Sequence, residues 1–439
     1  MVISQIVFAL FLAIGVYFFA GSVGVIRRNI FLGKDIDLSD NPAARWKQLF
    51  WVAMGQSKMV KRPVAGFFHI LIYLGFVLIN IEVLEIMIDG LLGTHRFFAH
   101  YIGNIYDVAI GFFEILAFGV ILACVVFLWR RYVSKIPRLQ MPELKGWPMK
   151  DATIILVVEI VLMGALIQMN AAEQVLQQRG VMAEHGSFPI SHFLVPFFEG
   201  FSDGSLVFLE RTAWWFHFVG ILVFLNYVPF SKHWHIIMSF PNVYYSSLSP
   251  KGQFTNMASV TTEVKLMMDP SAQPPEGYEA PLGFGAKDVQ DLTWKNLMDA
   301  YSCTECGRCS SVCPANITGK LLSPRKIMMD TRDRLEEVGK AIDAAKKAGS
   351  PIEGKVEDGK DLHSYISPEE LWACTTCNAC AEACPVNINP VDIIYQMRQY
   401  KVMEESAAPS ELNGMFTNME NNGAPWQFNQ NDKGNWANS

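Results

Sequence analysis

Five stretches of the chain, roughly residues 2–26, 63–88, 106–129, 152–170 and 212–230, are long and apolar enough to cross a bilayer. A backbone in hydrocarbon must satisfy its own hydrogen bonds, so such segments are expected to be α-helices, and residues 1–240 read as one membrane bundle. The opening segment has no positive n-region and no evident cleavage site before Arg27, which favours a retained first span. The formal charge of −6 leaves no basic field for phosphates and argues against a nucleic-acid partner.

The loops set the expected orientation. Residues 27–62 carry eight Lys or Arg and residues 130–151 carry six, whereas 89–105 and 171–205 carry one each, Arg96 and Arg179. By the positive-inside rule the N-terminus lies outside and the long C-terminal half is cytoplasmic. RWKQLFWVAM (45–54) and SHFLVPFFEGF (191–201) have the composition of segments lying along the membrane surface, inside and outside respectively. Residues 241–290 are rich in Pro, Gly and Ser and read as a linker without a fold of its own. TRDRLEEVGKAIDAAKKA (331–348) reads as a surface helix, and residues 404–439 as a tail without a core.

Between linker and tail, over residues 291–403, the chain carries CTECGRCSSVCP (303–314) and CTTCNACAEACP (374–385), which hold eight of its nine cysteines. Each is C-x2-C-x2-C-x3-C-P, a ferredoxin spacing in which three close thiolates hold one 4Fe-4S cube and the fourth reaches the other. This assigns Cys303, Cys306, Cys309 and Cys384 to one cluster and Cys374, Cys377, Cys380 and Cys313 to the second. Pro314 and Pro385 are expected to stop the local helix. Structural zinc is the competing use of paired CxxC units, but it needs neither the third cysteine nor the fourth with its proline, twice over. Cys124, alone in the third span, reads as a small buried apolar residue.

Histidines stand at span ends. His69 is just inside the second span, His217 is near the outer end of the fifth, and His235 lies just past its inner end. An imidazole in lipid needs a partner, and b-type haem iron is one that a redox membrane protein supplies. His69 and His235 are expected to share an inner haem, with His233 as the competing ligand; on an ideal continuous helix His217 and His235 would face the same way. A second haem would need an outer partner for His217, such as His100 or His192. Glu82, Glu85, Glu114 and Glu159 fall within spans, and the first three are the candidate site where a lipid-soluble quinone, expected to be menaquinone, exchanges protons.

GQSKMVKRPVAGFFHILIYLGF, WWFHFVGILVFLNYVPFSKHWHIIMSFPNVYY and LTWKNLMDAYSCTECGRCSSVCPANITGKLLSPRK resemble bacterial membrane iron-sulfur oxidoreductases. These join a nitrate-reductase-gamma-like cytochrome b to a heterodisulfide-reductase-like helical ferredoxin domain. The resemblance implies an all-α fold, a five-helix cytochrome b bundle followed by a cytoplasmic dicluster ferredoxin domain in a bacterial inner membrane. It also implies one or two b haems, two 4Fe-4S clusters and electron exchange with membrane quinone, often on behalf of electron-transfer flavoprotein. It supports His69, His217 and His235 as haem-ligand positions, with His233 in the same motif. The fused relatives continue into a domain with two CCG motifs, whereas this sequence has no CC pair. A separate cytoplasmic CCG-domain subunit is therefore expected, gripped through Trp426, Phe428 and Trp436. The expected role is a membrane electron-transfer subunit between that partner and quinone. Heterodisulfide- or thiol-linked electron transfer, and a membrane redox sensor, are the alternatives.

Overall fold

The computed structural model describes residues 2–250, 252–254, 256–278, 283–352, 354–427 and 429–438. Among them the chain is all-α, with an isolated bridge between Lys34 and Thr293 and no strand. The membrane part comprises α1 (Val2–Ile30), α2 (Pro42–Leu49), α3 (Pro63–Leu92), α4 (Ala99–Ile102), α5 (Asn104–Tyr132), α6 (Trp147–Gln178), α7 (Val195–Phe198) and α8 (Asp203–Tyr227). Helices α1, α3, α5, α6 and α8, the last with the turn to Phe230, are the five long and apolar enough to span. They run several residues past the apolar stretches at one or both ends, because capping rather than hydropathy decides where a helix stops. Pro63 opens α3 at a position where no N–H is needed, and Gly93, at φ 73, closes it by donating to the Asp89 carbonyl.

Within the bundle α6 packs on α5 and α8, and α3 packs on α5. Phe8 of α1 stacks on Phe218 of α8 with ring centroids 3.9 Å apart. Gly90 makes that possible, since a Cβ there would lie 2.3 Å from the Phe8 ring. Close helix approach of this kind relies on packing and not on the hydrophobic effect, which is absent between lipid-immersed surfaces. Cys124 is fully buried in the same core, as expected.

Helix α8 does not continue to His235. It ends at Tyr227, a 3-10 turn covers Val228–Phe230 around Pro229, Ser231 is extended, and a new helix, α9 (His235–Tyr244), begins after a second turn. The continuous-helix relation between His217 and His235, and the angular preference for His235 over His233 drawn from it, therefore do not hold. Asp151 stabilises the break by accepting from the Tyr227 hydroxyl at 2.5 Å and the Lys232 amide at 3.1 Å.

The C-terminal part contains α10 (Ala258–Met268), α11 (Trp294–Ser302), α12 (Pro314–Ile317), α13 (Pro324–Lys347), α14 (Pro368–Trp372), α15 (Ala379–Ala383), α16 (Pro390–Met403) and α17 (Ser410–Asn422). Two expectations need correction. The 241–290 segment holds α10, although no residue of that helix is buried. The stretch expected as a surface helix, 331–348, is the C-terminal part of α13 and buries Leu335 and Val338, each contributing about 1.5–3 kcal/mol. Its charged pattern misled because Arg334, fully buried, is neutralised by Asp288 and Asp358 at 2.7 and 2.6 Å. Pro314 and Pro385 each follow a short helix that has ended, Ser310–Val312 and α15, and Pro314 also opens α12. In the tail, α17 buries nothing, Trp426 and Trp436 are exposed, and Phe428 lies outside the described residues.

Candidate functional site: two cysteine cassettes against a histidine cluster

The two cassettes repeat in backbone as they do in sequence. Glu305 and Thr376, each two residues after a first cysteine, lie at φ 55, and Gly307 and Asn378, each one residue after a second cysteine, lie at φ 69 and 57. Left-handed residues at matched places curl each loop around its own interior. Gly307 has a further reason to be glycine, since a Cβ would meet the Arg325 guanidinium at 2.4 Å. Backbone amides are directed at the sulfurs: Thr376 N–H donates to Cys374 Sγ at 3.4 Å and Ile388 N–H to Cys384 Sγ at 3.3 Å.

The sulfurs fall into crossed groups. Cys303, Cys306, Cys309 and Cys384 line one small cavity, which Cys380 also borders. Cys309 feels Cys306, Cys303 and Cys384 most strongly, whereas Cys380 feels Cys374, Cys313 and Cys377. Among the described residues no three Cys, His, Asp or Glu side chains converge tightly enough for a single ion. The first four cysteines border a cavity, which leaves room for a cube with iron at its corners. Burial pushes the Cys303 and Cys380 thiols up to about 12 and Cys384 to about 11. Such thiols become thiolates when a bound metal supplies the positive charge.

The first cassette is bolted to the membrane half. Arg138 donates to the Cys306 carbonyl at 2.7 Å and Arg62 to the Ser311 hydroxyl at 2.6 Å, while Lys58 donates to the Cys384 carbonyl of the second cassette at 3.2 Å. Glu305, between Cys303 and Cys306, pairs with Lys232 and, at 2.9 Å, with Arg332. Burial opposes ionisation of Glu305, but the two cations outweigh it and hold the carboxyl below its ordinary range. The second cassette is also held to the membrane part, through Lys58 and through Lys61 to Glu382 at 2.8 Å, but leaves Cys377 exposed.

Lys232 immediately precedes the histidine cluster. The His69 and His235 ring centroids are 6.4 Å apart at 45°, and His233 lies 5.6 Å from His235. Two imidazoles bound on opposite sides of one iron at about 2 Å stand roughly 6 Å apart, centre to centre. His235 Nδ1 is held by the Lys232 carbonyl at 3.0 Å, which leaves Nε2 as the ligating nitrogen. His69 Nδ1 and His233 Nε2 are buried with no hydrogen-bond partner. These orphaned atoms and the ring spacing fit a bound haem iron. His217, fully buried, likewise presents Nδ1 to the Leu162 carbonyl at 3.0 Å, but no second imidazole pairs with it among the described residues. His100 instead lies beside His185, at 6.3 Å.

The carboxylates expected in the outer half form one buried network. Arg96 is its hub, bonding Glu173 at 2.6 Å, Asn170 at 3.0 Å, the Tyr106 hydroxyl at 3.2 Å and Glu82 at 3.4 Å. Glu85 accepts from Tyr106 at 2.6 Å and from the Phe98 amide at 2.8 Å. Glu114 accepts from the amides of Ile190 and Ser191 at 2.7 and 3.1 Å, fastening the loop expected to lie along the outer surface. Sequence reasoning found Glu82, Glu85 and Glu114 but missed Arg96 and Glu173. The available signal was that Arg96 is the lone cation of its loop, close to several intramembrane acids.

Comparison with known proteins agrees with this geometry. The 4Fe-4S dicluster domain profile matches residues 302–388. The fold and cassettes thus define a membrane protein with a 4Fe-4S dicluster domain. The chain is 29% identical to the "Probable iron-sulfur-binding oxidoreductase FadF" of Bacillus subtilis over 99% of its own length and 61% of that protein. It is 29% identical to the "EtfAB:quinone oxidoreductase" of Syntrophomonas wolfei over 89% of its length and 54% of the relative. A 36% identity to a "Probable membrane-anchored ferredoxin" of Chromohalobacter salexigens covers 36% of this chain and 24% of the other. It is a relative of these iron-sulfur oxidoreductases and spans little more than half the length of the first two. No solved structure matches it.

Proposed function

We propose that this protein is the membrane electron-transfer subunit of a quinone-linked oxidoreductase complex, using two 4Fe-4S clusters and b-type haem between a cytoplasmic redox partner and menaquinone. One observation carries this: a single ion pair, Lys232 to Glu305, joins the histidine cluster to the loop of the first cassette. Bound in these sites, the clusters and haem supply one-electron chemistry, and the protein supplies position and charge. Cys303, Cys306, Cys309 and Cys384 hold one cluster, and Cys374, Cys377, Cys380 and Cys313 the other. His69 and His235 hold the haem, with His233 as the neighbouring ligand, and His217 is the position for a second haem. The clusters lie on the cytoplasmic side of a bacterial inner membrane, where the basic loops stay. Glu82 is the group through which quinone would exchange protons. Among the described residues its one hydrogen-bond partner is Arg96, whereas Glu85 and Glu114 are occupied in fastening loops.

The partner is proposed as a CCG-domain iron-sulfur subunit, serving electron-transfer flavoprotein, that docks where Cys377 and the exposed Trp426 lie. The test is to reduce the purified protein chemically and add a menaquinone analogue under anaerobic conditions. Prompt reoxidation of the iron-sulfur signals is expected. Signals that stay reduced despite excess quinone would overturn the proposal.

A further inference from the structure

The two cassettes share spacing and backbone, but their charge surroundings differ. Around the first stand three arginines that pair with no carboxylate among the described residues. Arg308 lies inside the cassette, only 4% exposed, and donates to the carbonyls of Lys58 and Met59 at 3.0 and 3.4 Å. Arg138 donates to the Cys306 carbonyl at 2.7 Å, and Arg62 to the Ser311 hydroxyl at 2.6 Å. These guanidiniums lie near enough to repel one another, and Arg308 and Arg138 both feel Cys306. Arg325 also reaches this loop, but Glu143 neutralises it at 2.7 Å. Among the described residues, the arginine standing this way beside the second cassette is Arg398, which donates to the Cys374 carbonyl at 2.6 Å and lies over Trp372. Lys58 reaches that cassette at the carbonyl of Cys384, whose thiolate is proposed for the first cluster.

Three buried or half-buried cations without counter-ions repel one another and lose hydration, so their grouping is favourable only beside a negative body. A 4Fe-4S core with four thiolates is negative in both oxidation states, and more so when reduced. Cations nearby therefore favour the reduced form and raise its potential.

We infer that Arg62, Arg138 and Arg308 form a cationic collar that makes the first-cassette cluster the more readily reduced of the two. This rests on the proposed cluster assignment. The collar places the electron-attracting cluster on the membrane side: Arg308 is within electrostatic range of His69, and the residues it grips, Lys58 and Met59, lead directly into α3. The more exposed second cassette is left as the weaker acceptor, facing the cytoplasm.

The experiment is an EPR-monitored redox titration of the whole, cluster-loaded protein and its Arg138→Gln, Arg138→Lys and Arg62→Gln variants. The signal altered by Cys384→Ser marks the first cluster, so a wrong cluster assignment shows in that variant alone and is separable from a failure of the collar. Wild-type protein should show the marked signal reduced first. Arg138→Gln should shift the partition of one electron between the clusters by about tenfold, roughly 59 mV, toward the second. Arg62→Gln, whose side chain meets only a serine hydroxyl, should shift it in the same direction, and Arg138→Lys should restore most of the difference. A marked signal that is reduced last, or that moves no more than the other in both Gln variants, overturns the inference.

Discussion

Cys384 stands ten residues after Cys374, yet it lines a cavity with Cys303, Cys306 and Cys309, which Cys380 also borders. Cys384→Ser should therefore damage the cluster of the first cassette while that of Cys374, Cys377 and Cys380 survives. EPR of the variant checks this, and loss of the second cluster alone would reverse the pairing. Among the carboxylates, Glu82 lacks the amide donors that occupy Glu85 and Glu114. Glu82→Gln should slow quinone reduction by about 100-fold, the lower range for losing a positioned proton donor. Glu114→Ala should chiefly weaken the loop at Ile190 and Ser191. Equal turnover in wild type and Glu82→Gln, measured at saturating quinone, would place proton exchange elsewhere. Glu159, which has no hydrogen bond or ion pair among the described residues, would then be the next group to test.

At the scale of elements, what could be read in advance followed from hydropathy and spacing, and what could not followed from tertiary charge pairing. The five spans were legible because an apolar run of that length has few other folds. The break after Tyr227 was only half legible: Pro229 signals it, but the second turn at Lys232–Trp234 depends on Asp151, which is distant in sequence. Helix α13 looked solvated because its charges interleave, and no local pattern reveals that Arg334 meets Asp288 and Asp358. Arg334→Met leaves both carboxylates unpaired. It should cost about 3 kcal/mol, the lower end for breaking a buried pair, since Asp358 remains partly exposed. Thermal loss of cluster absorbance would record it, and an unchanged midpoint would show the pairs to be dispensable.

At the scale of the whole molecule, the cassettes and the histidines come from separate halves of the sequence and meet at one junction. Arg28 pairs with Asp343 at 2.5 Å, Asn29 donates to the Tyr301 hydroxyl at 2.9 Å, and Asn242 donates to the Val386 carbonyl at 2.9 Å. The dicluster cassettes were legible from spacing. The junction was not, because nothing local couples Lys232 to Glu305. The exposed tail belongs to this scale too: deleting residues 420–439 should release a bound soluble subunit while clusters and haem remain, as copurification would show. Retention of the subunit by the truncated protein would remove the tail from the interface.

The central claim is that His69 and His235 hold a haem beside the first cassette. It is tested most directly by the reduced-minus-oxidised optical spectrum of the purified protein, recorded for wild type and His69→Ala. A b-type band in wild type that disappears in the variant, with the iron-sulfur EPR signals unchanged in both, is the predicted result. A wild-type spectrum without that band, or a variant that keeps it in full, would contradict the claim.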